Sequence, residues 1–519
     1  MLTPRSLRAR CAPLILAALV SPASALADEV LTFSGEVPDD GSDFFSIPFE
    51  VGAGFVEIEV AHDDGSTANI LDWGVFDPNG FRGYGGGNDE NAVIGELAAS
   101  RSYKPGPIVA GTWEVLVGKA KIVSAPATYD VTVTLRETAT LAPDAERGPY
   151  AEVALSTTAR FYAGDFHVHS RESGDADATF DEIADLARTR GLDFVVITDH
   201  NTDSHVDFLS AAQARHDDVL FVPGCEFTTY DGHVGATGAT AYVDHRLGVD
   251  GRTMDDALRD YANAGDVLTV NHPMLDLGDL CIGCAWGHDD EVLAHVTTVE
   301  IMTGANTLFL EQSLAFWDSK FDRGFQLVPV GGSDDHRAGR DTGFAAAEIG
   351  TPTTMVYASG LSSSAIQEGV RRGLTVVRLG GTEGPMVELA MDPPRESSTW
   401  VYEDSGVAEF PVRVTGGAGH ELVLVRDGFP IEGERTPVAS DDETFEIALD
   451  VEDGQRLRAE LWDDARPVVV TSHLVFQLER GVLPPDDCNC GSTSGDASPT
   501  GIAALALVFL VVRRRGARR

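Results

Sequence analysis

The sequence predicts an α/β protein in which a barrel of alternating strands and helices is flanked on each side by a β-sandwich domain. In the middle of the chain, short apolar runs such as residues 194–198 alternate with amphipathic helical patterns, which is typical of parallel strands joined by helices. Before and after this region, short alternating strands are separated by Gly, Asp and Pro turns. A chain of 519 residues is also longer than a single hydrophobic core usually supports.

Both ends of the chain are predicted to be sorting segments rather than parts of the fold. Residues 1–27 run from an arginine-containing start through an apolar stretch to Ala25-Leu26-Ala27, the order of a secretory signal peptide. Residues 486–519 combine a polar linker, a short apolar run and an arginine cluster. We therefore expect export to the cell surface or outer membrane, with release from the cell as a further outcome.

The C-terminal tail has two interpretations. Its arrangement resembles the C-terminal sorting signals of myxobacterial surface proteins, in which a short cysteine-containing motif precedes an apolar helix and arginines. This resemblance implies that a sorting protease and the cell envelope are partners of the chain. A plain membrane anchor with its arginines on the cytoplasmic side is the alternative.

Between these ends the sequence pattern changes twice and divides the chain into three domains. Residues 28–145 are predicted to form the first β-sandwich, residues 160–383 the barrel, and residues 384–480 the second β-sandwich. Inside the barrel, Thr179 followed three positions later by Glu182 predicts a capped helix start. The formal net charge of −44 opposes binding to nucleic acid, so we expect a small-molecule substrate and no nucleic-acid partner.

Histidine and acidic residues follow the predicted strands of the barrel. Because the carboxyl ends of parallel strands meet at one face of a barrel, such residues become neighbours although they are distant in sequence. Neutral imidazoles and ionised carboxylates together suit zinc, manganese or iron. The candidate residues are His167, His169, Asp199, His200, Glu226, His272, Asp334 and His336.

Five ordered motifs resemble those of the polymerase and histidinol phosphatase (PHP) superfamily, and within it the carbaryl-hydrolase-like metallohydrolases. They are Gly164-Asp165-Phe166-His167-Val168-His169-Ser170, Ile197-Thr198-Asp199-His200-Asn201-Thr202, Pro223-Gly224-Cys225-Glu226, Asn271-His272-Pro273 and Gly332-Ser333-Asp334-Asp335-His336. The resemblance implies a distorted seven-stranded (β/α)7 barrel that binds two or three divalent transition-metal ions. It also implies a metal-bridging hydroxide as the nucleophile.

The same resemblance assigns ligands to each ion. The first ion would be bound by His167, His169, Glu226 and Asp334. The second would be bound by Glu226, His233 and His272, and the third by Asp175, His200 and His336. Asp175 stands where many relatives have histidine, so the identity and occupancy of the third ion stay open.

Further roles are predicted around these ligands. Asp199 is expected to orient His200, since metal-bound imidazoles usually hydrogen-bond a carboxylate or carbonyl through their other nitrogen. Arg171 and Arg337 lie beside ligand motifs and are candidates for clamping an anionic group of the substrate, or else for pairing with acidic side chains. The motif Cys281-Ile282-Gly283-Cys284 predicts a disulfide, with a zinc knuckle as the alternative.

The motifs favour a hydrolase, in which Glu226, Asp334, His200 and Asp199 are the candidate catalytic residues. The closer relatives imply cleavage of an ester, carbamate or amide bond, whereas the wider superfamily implies hydrolysis of small phosphate esters. A pocket without many lysines and arginines would favour an uncharged substrate. A surface binding protein with an inactive barrel is the alternative of another class, and the presence of every motif carboxylate and histidine argues against it.

Overall fold

The computed structural model describes most of the chain between the two expected sorting segments. The described residues are 28–66, 68–278, 281–305, 307–341, 347–392, 394–402 and 406–479, together with the backbone of Val511–Arg515. The expected signal peptide and the remainder of the expected sorting tail lie outside these residues. Within the described part of the chain, no helix is both long and apolar enough to cross a bilayer.

The N-terminal region consists of two four-stranded antiparallel sheets, with strand orders β1-β8-β3-β6 and β2-β7-β4-β5. Apolar residues from both sheets, among them Ile58, Ile94, Trp113 and Val133, form one buried cluster between them. The strands are β1 (Glu29–Glu36), β2 (Phe44–Val51), β3 (Glu57–Asp63), β4 (Ile70–Asp77), β5 (Gly80–Gly86), β6 (Ala92–Gly95), β7 (Gly111–Lys121) and β8 (Thr128–Arg136). This is the layered arrangement of a β-sandwich.

The central region alternates strands and helices as the sequence predicts. Its strands are β9 (Ala154–Ser156), β10 (Arg160–Val168), β11 (Phe194–Ile197), β12 (Leu220–Pro223), β13 (Glu226–Thr229), β14 (Gly232–Thr237), β15 (Val267–Val270), β16 (Thr298–Thr303), β17 (Val328–Gly332), β18 (Thr353–Ala358), β19 (Leu361–Ser362) and β20 (Thr375–Arg378). Its helices are α1 (Phe180–Thr189), α2 (Val206–Arg215), α3 (Met254–Ala264), α4 (Leu310–Asp322) and α5 (Ser363–Arg371).

The predicted start of α1 is confirmed in detail. The Thr179 side chain accepts a hydrogen bond from the backbone N–H of Glu182, and the Glu182 side chain accepts one from the backbone N–H of Thr179. This reciprocal capping satisfies donors that the first turn of a helix leaves free. Gly191, just beyond the helix, has a φ of 72°, a left-handed conformation that glycine adopts without a steric cost.

The central strands divide between two mixed sheets: β12-β11-β10-β18-β20 belongs to a larger sheet, and β13-β14-β15-β16-β17 forms a second one. Isolated parallel bridges, Val168 with Asp335 and His200 with Glu226, link the two sheets, so the seven-stranded barrel that the resemblance implies stays a prediction. Several neighbouring pairs are antiparallel, including β13 with β14 and β10 with β18. The turn at 230–231 is too short for a crossover, so β14 can only return antiparallel to β13.

The C-terminal region is all β and continues the larger central sheet. Its strands are β21 (Met386–Leu389), β22 (Thr399–Tyr402), β23 (Val407–Thr415), β24 (Glu421–Arg426), β25 (Phe429–Pro437), β26 (Asp442–Asp450), β27 (Arg456–Trp462), β28 (Pro467–Thr471), β29 (Leu474–Leu478) and β30 (Val511–Arg515). A second sheet has the order β21-β23-β26-β30. Because β20 pairs with β28, the expected boundary at residue 384 does not interrupt the hydrogen-bonded sheet.

Candidate metal centre

Glu226, the first residue of β13, lies buried at the centre of the histidine cluster. Its Oε2 atom is 3.1 Å from His167 Nε2 and 3.4 Å from His169 Nε2. Asp334 completes this group, with Oδ1 at 3.3 Å from His167 Nε2 and 3.1 Å from His169 Nε2. The potential ligand atoms of these four residues all lie within 4.8 Å of one another. The structure thus brings together the set assigned to the first ion by resemblance.

The other carboxylate oxygen of Glu226 faces the set assigned to the second ion. Its Oε1 atom is 3.2 Å from His233 Nδ1 and 3.1 Å from His272 Nε2. The far nitrogens of both rings face backbone carbonyls of one loop: His233 Nε2 is 3.3 Å from Ile282 O, and His272 Nδ1 is 3.2 Å from Cys284 O. Donation to these carbonyls would leave Nδ1 of His233 and Nε2 of His272 as the ligand atoms.

That loop is closed by a disulfide between Cys281 and Cys284, so the zinc-knuckle alternative is wrong. The sulfur of Cys284 lies near His233 and His272 but is already bonded to Cys281. Glu226 therefore remains the acidic partner of these two histidines. The disulfide constrains the short segment whose carbonyls face the two rings.

The third predicted set also converges. Asp175 Oδ2 lies 3.3 Å from His200 Nε2 and 3.2 Å from His336 Nε2. His169 lies beside both rings, and its ring centroid is 4.4 Å from that of His200 and 4.1 Å from that of His336. The nine residues predicted as ligands therefore occupy one cluster, while their binding of metal stays a prediction.

The cluster has the chemistry of a cation site. His167 Nε2 and Glu226 Oε2 are buried and have no hydrogen-bond partner among the described residues, although they face each other. Burial opposes a charged His167, yet Glu226, Asp334 and Glu300 raise the pKa of its imidazole well above the ordinary value. Burial opposes a charged Glu226 as well, but the neighbouring histidines hold its pKa well below the ordinary value. The surroundings thus favour positive charge, which a metal ion supplies.

Two predicted ligands have unusual backbone conformations. His272 has a φ of 26° and Asp334 a φ of 59°, a region that costs non-glycine residues about 1–3 kcal/mol. Both are held by hydrogen bonds of 2.8 Å, from the His272 N–H to Glu300 Oε2 and from the Asp334 N–H to His167 O. Such strain is common where the chain must direct a side chain into a functional site.

Glu300 on β16 is a site residue to which the sequence assigned no role. It is buried, and its Oε1 atom lies 3.1 Å from His167 Nδ1 while its Oε2 atom accepts from the His272 N–H. Gly332 makes room for this arrangement, because a Cβ there would collide with both His167 and Glu300. Glu300 thus orients residues from two of the predicted metal sites. From the sequence, Glu300 could be marked only as a polar residue near the mouth of the site, because it lies within β16 and belongs to none of the five motifs.

The predicted role of Asp199 is wrong. Its carboxylate accepts hydrogen bonds from the N–H and hydroxyl of Ser170 and lies 3.4 Å from His205 Nδ1, rather than contacting His200. Burial raises the pKa of Asp199 to about 8 despite the Ser170 hydrogen bonds. The His200 Nδ1 atom instead lies 2.6 Å from the Thr228 hydroxyl oxygen. Asp199 therefore fixes the turn after β10.

The arginines proposed as substrate clamps do not line the cavity formed by the described residues. Arg171 is exposed, and Arg337 is half exposed with Nε 3.7 Å from Asp341 Oδ1. Arg340 pairs with Asp177 and Glu182 on the surface. The prediction that Arg171 and Arg337 bind substrate is therefore not supported by their position. Arg337 instead fits the alternative of pairing with an acidic residue, Asp341.

A cavity of about 580 Å³ opens onto the cluster. Its walls include the predicted ligands Asp175, His200, Glu226, His233, His272, Asp334 and His336. Apolar residues of the loop after β15, Leu275, Leu277 and Ile282, line it as well. None of the lining residues that the structure describes is a lysine or an arginine.

The N-terminal sandwich contributes another part of the cavity wall. Phe44, Ile70, Asp72, Tyr84 and Asn88 all belong to that domain and line the same space. The sequence predicts this domain but not its part in the cavity wall, because the domain meets the other lining residues through contacts between residues more than a hundred positions apart. The family resemblance of the sequence also extends upstream of the barrel motifs, through residues 73–83 between Asp72 and Tyr84, and this was the one related signal.

Comparisons with known proteins identify one domain. Residues 165–296 match the family model of the PHP domain. A two-domain protein from Bacteroides vulgatus, described as containing a predicted PHP-like metal-dependent phosphoesterase, is 18% identical, with 63% of this chain and 99% of that chain covered and a TM-score of 0.36. An amidohydrolase from Chromobacterium violaceum is also 18% identical, with 36% and 93% covered and a TM-score of 0.25. No curated protein matches the chain.

The matched segment contains every predicted ligand except Asp334 and His336, which follow β17. Those two residues join the cluster in space, where Asp334 lies within 3.3 Å of His167. The chain therefore contains a PHP domain, whose histidine and carboxylate residues form the candidate metal centre.

Proposed function

We propose that the chain is an exported metal-dependent hydrolase that cleaves an ester, carbamate or amide bond in a small molecule without an anionic group. The observation that carries this proposal is the cavity, which is lined by the carboxylate and imidazole cluster but by no described lysine or arginine. Enzymes that act on phosphate esters commonly bind the phosphate oxygens through arginine or lysine. The cavity offers no such partner among its described residues.

The residues of the cluster fit two or three divalent ions, of zinc, manganese or iron. Glu226, His167, His169 and Asp334 would hold the first ion, and Glu226, His233 and His272 would hold the second. Ions held there would lower the pKa of bound water and polarise the scissile carbonyl. The third set, Asp175, His200 and His336, faces the same cavity.

The protein groups around the cluster would position it and limit the access of solvent. Glu300 orients His167 and fixes the backbone of His272, so two ligand sets depend on one buried carboxylate. Leu275, Leu277 and Ile282 present apolar surface to the substrate. A partly apolar wall strengthens electrostatic interactions at the reacting bond, because it displaces water from the bond's surroundings.

A substrate screen tests the proposal. The metal-reconstituted protein would be assayed with aryl esters, aryl carbamates, phosphomonoesters and phosphodiesters, each with and without a chelator. We expect chelator-sensitive turnover of the esters or carbamates to exceed turnover of the phosphate esters. Preference for a phosphate ester would favour the phosphoesterase alternative, and the absence of turnover in every class would favour a binding protein.

Export is a separate part of the proposal and rests on the residues at both ends. Mature protein recovered from the cell surface should begin near Asp28 and lack the arginine cluster of the tail. Intact mass spectrometry of that protein tests both points. A tail that retains residues 513–519 would instead support the membrane anchor.

A further inference from the structure

Asp72 on β4 places a carboxylate in the wall of the cavity. Its Oδ2 atom accepts hydrogen bonds from two phenols, at 3.0 Å from the hydroxyl of Tyr84 and at 2.7 Å from that of Tyr230. All three residues line the cavity that contains the candidate metal centre. The other carboxylate oxygen, Oδ1, accepts no hydrogen bond from the described residues. No described lysine or arginine of the cavity wall forms an ion pair with this carboxylate.

The surrounding backbone leaves space for these hydrogen bonds. Tyr230 lies in the turn between β13 and β14, so it belongs to the hairpin that carries Glu226 and His233. Its hydroxyl lies against Gly118 of β7, where a Cβ would collide with it. Gly118 is also the strand partner of Asp72. The absence of a side chain at Gly118 thus lets a phenol from the PHP domain reach a carboxylate of the N-terminal sandwich.

The negative charge of Asp72 is poorly compensated. Burial raises the pKa of its carboxyl above the ordinary value, and the hydrogen bonds from Tyr230 and Tyr84 oppose that rise only in part. A carboxylate away from bulk water is usually paired with a cation. No lysine or arginine lines the described cavity wall, and His200, whose charge also lowers the pKa of Asp72, is a predicted metal ligand, so a cationic partner for Asp72 can come from the ligand.

Aromatic rings adjoin the carboxylate. Phe44 stacks on Tyr230 with ring centroids 5.8 Å apart, and both rings line the cavity together with Tyr84. Aromatic faces attract ammonium groups through their negative electrostatic potential. A carboxylate next to such rings is a common way to bind an organic cation without a metal.

We propose that Asp72, Tyr84, Tyr230 and Phe44 bind an ammonium group of the substrate, in the same cavity that holds the candidate metal centre. The inference rests on the proposed function, which it deepens by naming the substrate class as esters or amides that carry an ammonium group. It also gives the N-terminal sandwich a role in recognition. The metal centre would contact the scissile bond, and Asp72 would select the cationic end.

A matched pair of probes tests this site without turnover. Choline and its uncharged isostere 3,3-dimethylbutan-1-ol have the same shape and the same hydroxyl, and the quaternary ammonium cannot ligate a metal. Isothermal titration of each into the metal-loaded full-length protein should show tighter binding of choline by at least about 10-fold. Equal affinity for the two probes, or binding of neither, would overturn the proposal.

Variants identify the group responsible. Asp72→Asn should abolish the preference for choline while leaving the affinity for the uncharged alcohol and the metal content within about two-fold. Asp341→Asn is the matched control, because Asp341 lines the same cavity but lies beside Arg337, and it should keep the preference. An Asp72→Asn protein that still prefers choline would exclude the proposed site.

A second variant distinguishes loss of the negative charge from a folding defect. Asp72→Glu retains the charge on a longer side chain and should restore at least part of the preference, whereas a merely structural role predicts that Glu behaves like Asn. The outcome is also separable from the substrate screen. A chain that hydrolyses nothing yet binds choline through Asp72 would refute the proposed function and retain the ammonium site.

Discussion

The two β domains meet the PHP domain in different ways. The N-terminal sandwich forms hydrogen bonds with the loop that carries Asp175. The Ser102 N–H donates to Glu172 Oε2 at 3.1 Å, and the Arg101 side chain donates to the backbone carbonyl of Ala176 at 2.7 Å. The same domain also lines the cavity. Its interface therefore lies at the functional site and holds part of that site in place.

The C-terminal region contacts the side of the central region that carries α4. Arg458 Nη1 lies 2.7 Å from Asp318 Oδ1, and Arg456 Nη1 lies 2.7 Å from Asp322 Oδ1. His473 stacks on Trp317 of the same helix, with ring centroids 4.0 Å apart. No described residue after 384 lines the cavity.

The difference teaches that a flanking domain can act through substrate contact or through stability alone. Changes in the N-terminal interface and metal centre should alter metal binding or recognition, because they move groups in the cavity. Changes in the C-terminal interface should alter the free energy of unfolding and leave the activity of the folded molecules unchanged. Four predictions test this division.

The largest effect is expected at Glu226. Glu226→Gln removes the charge shared by the first two predicted ion sites, so metal and activity should be lost together, with kcat/KM falling by at least about 100-fold. Elemental analysis and kinetics measure the two losses. Glu291→Gln, an exposed carboxylate on the short helix Asp290–His295, is the control and should change neither. Full metal occupancy in the Glu226 variant would reject the shared role.

A smaller loss is expected at Glu300. Glu300→Gln weakens the orientation of His167 and the support of the His272 backbone, so we expect metal affinity to fall by about 10-fold to 100-fold. Excess metal should restore much of kcat, because the ligands themselves remain. Metal titration followed by activity measures this recovery. An unchanged metal affinity would show that the contacts of Glu300 are only structural.

The stability that the C-terminal interface contributes should depend on pH rather than on metal. Burial, together with Arg458 and Arg456, lowers the pKa of His473 well below its ordinary value, so the folded protein keeps this ring neutral. An unfolded chain protonates the ring below about pH 6.5, so the stability that His473 contributes is present above that pH and is lost as the pH falls. His473→Phe keeps the stacking on Trp317 and cannot be protonated.

Thermal unfolding between pH 7.5 and pH 5 measures this effect. The Tm of the wild-type protein should fall more steeply with acid than that of His473→Phe, whereas kcat/KM at pH 7.5 should be the same for both. His295→Gln, at a histidine paired with Asp255 near the surface, is the control and should follow the wild-type curve. Parallel curves for all three proteins would contradict the prediction.

The smallest effect is expected at the two surface arginines beside the ligand motifs. Because neither lines the described cavity, Arg171→Ala and Arg337→Ala should change kcat/KM on an ester or carbamate by no more than about two-fold or three-fold. A phosphate ester bound by either side chain would instead lose about 10-fold to 150-fold. Kinetics of both variants on the best substrate from the screen distinguish these cases.

Local features of the fold could be predicted from the sequence. The capped start of α1 at Thr179 and Glu182 and the buried strand at 194–197 are encoded by neighbouring residues, through capping hydrogen bonds and apolar periodicity. The ordered motifs likewise named residues that the structure brings into one cluster. Most of these residues lie at or just after the end of a strand, which is where the sequence pattern predicts that they become neighbours.

Contacts between distant elements were decided only by the tertiary structure. Asp199 and Arg171 adjoin ligand motifs in sequence but point to Ser170 and to the surface, since consecutive residues at the end of a strand face different directions. Glu300 joins the site from a strand with no motif, because β16 lies beside β15 and β17 in the second sheet. Adjacency to a ligand motif in the sequence therefore did not show which residues contact and orient the predicted ligands.

The sequence by itself determined that the chain carries histidines and carboxylates in the order of a PHP domain, and it determined where α1 begins and that a buried strand lies at residues 194–197. The tertiary structure alone decided how the strands divide between two sheets, which domain lines the cavity and which carboxylate supports the ligands. The physical reason is the distance along the sequence over which each kind of interaction acts. Capping and periodicity act over a few residues, whereas the contacts of Asp72 with Tyr230, 158 positions away, exist only once the domains have packed.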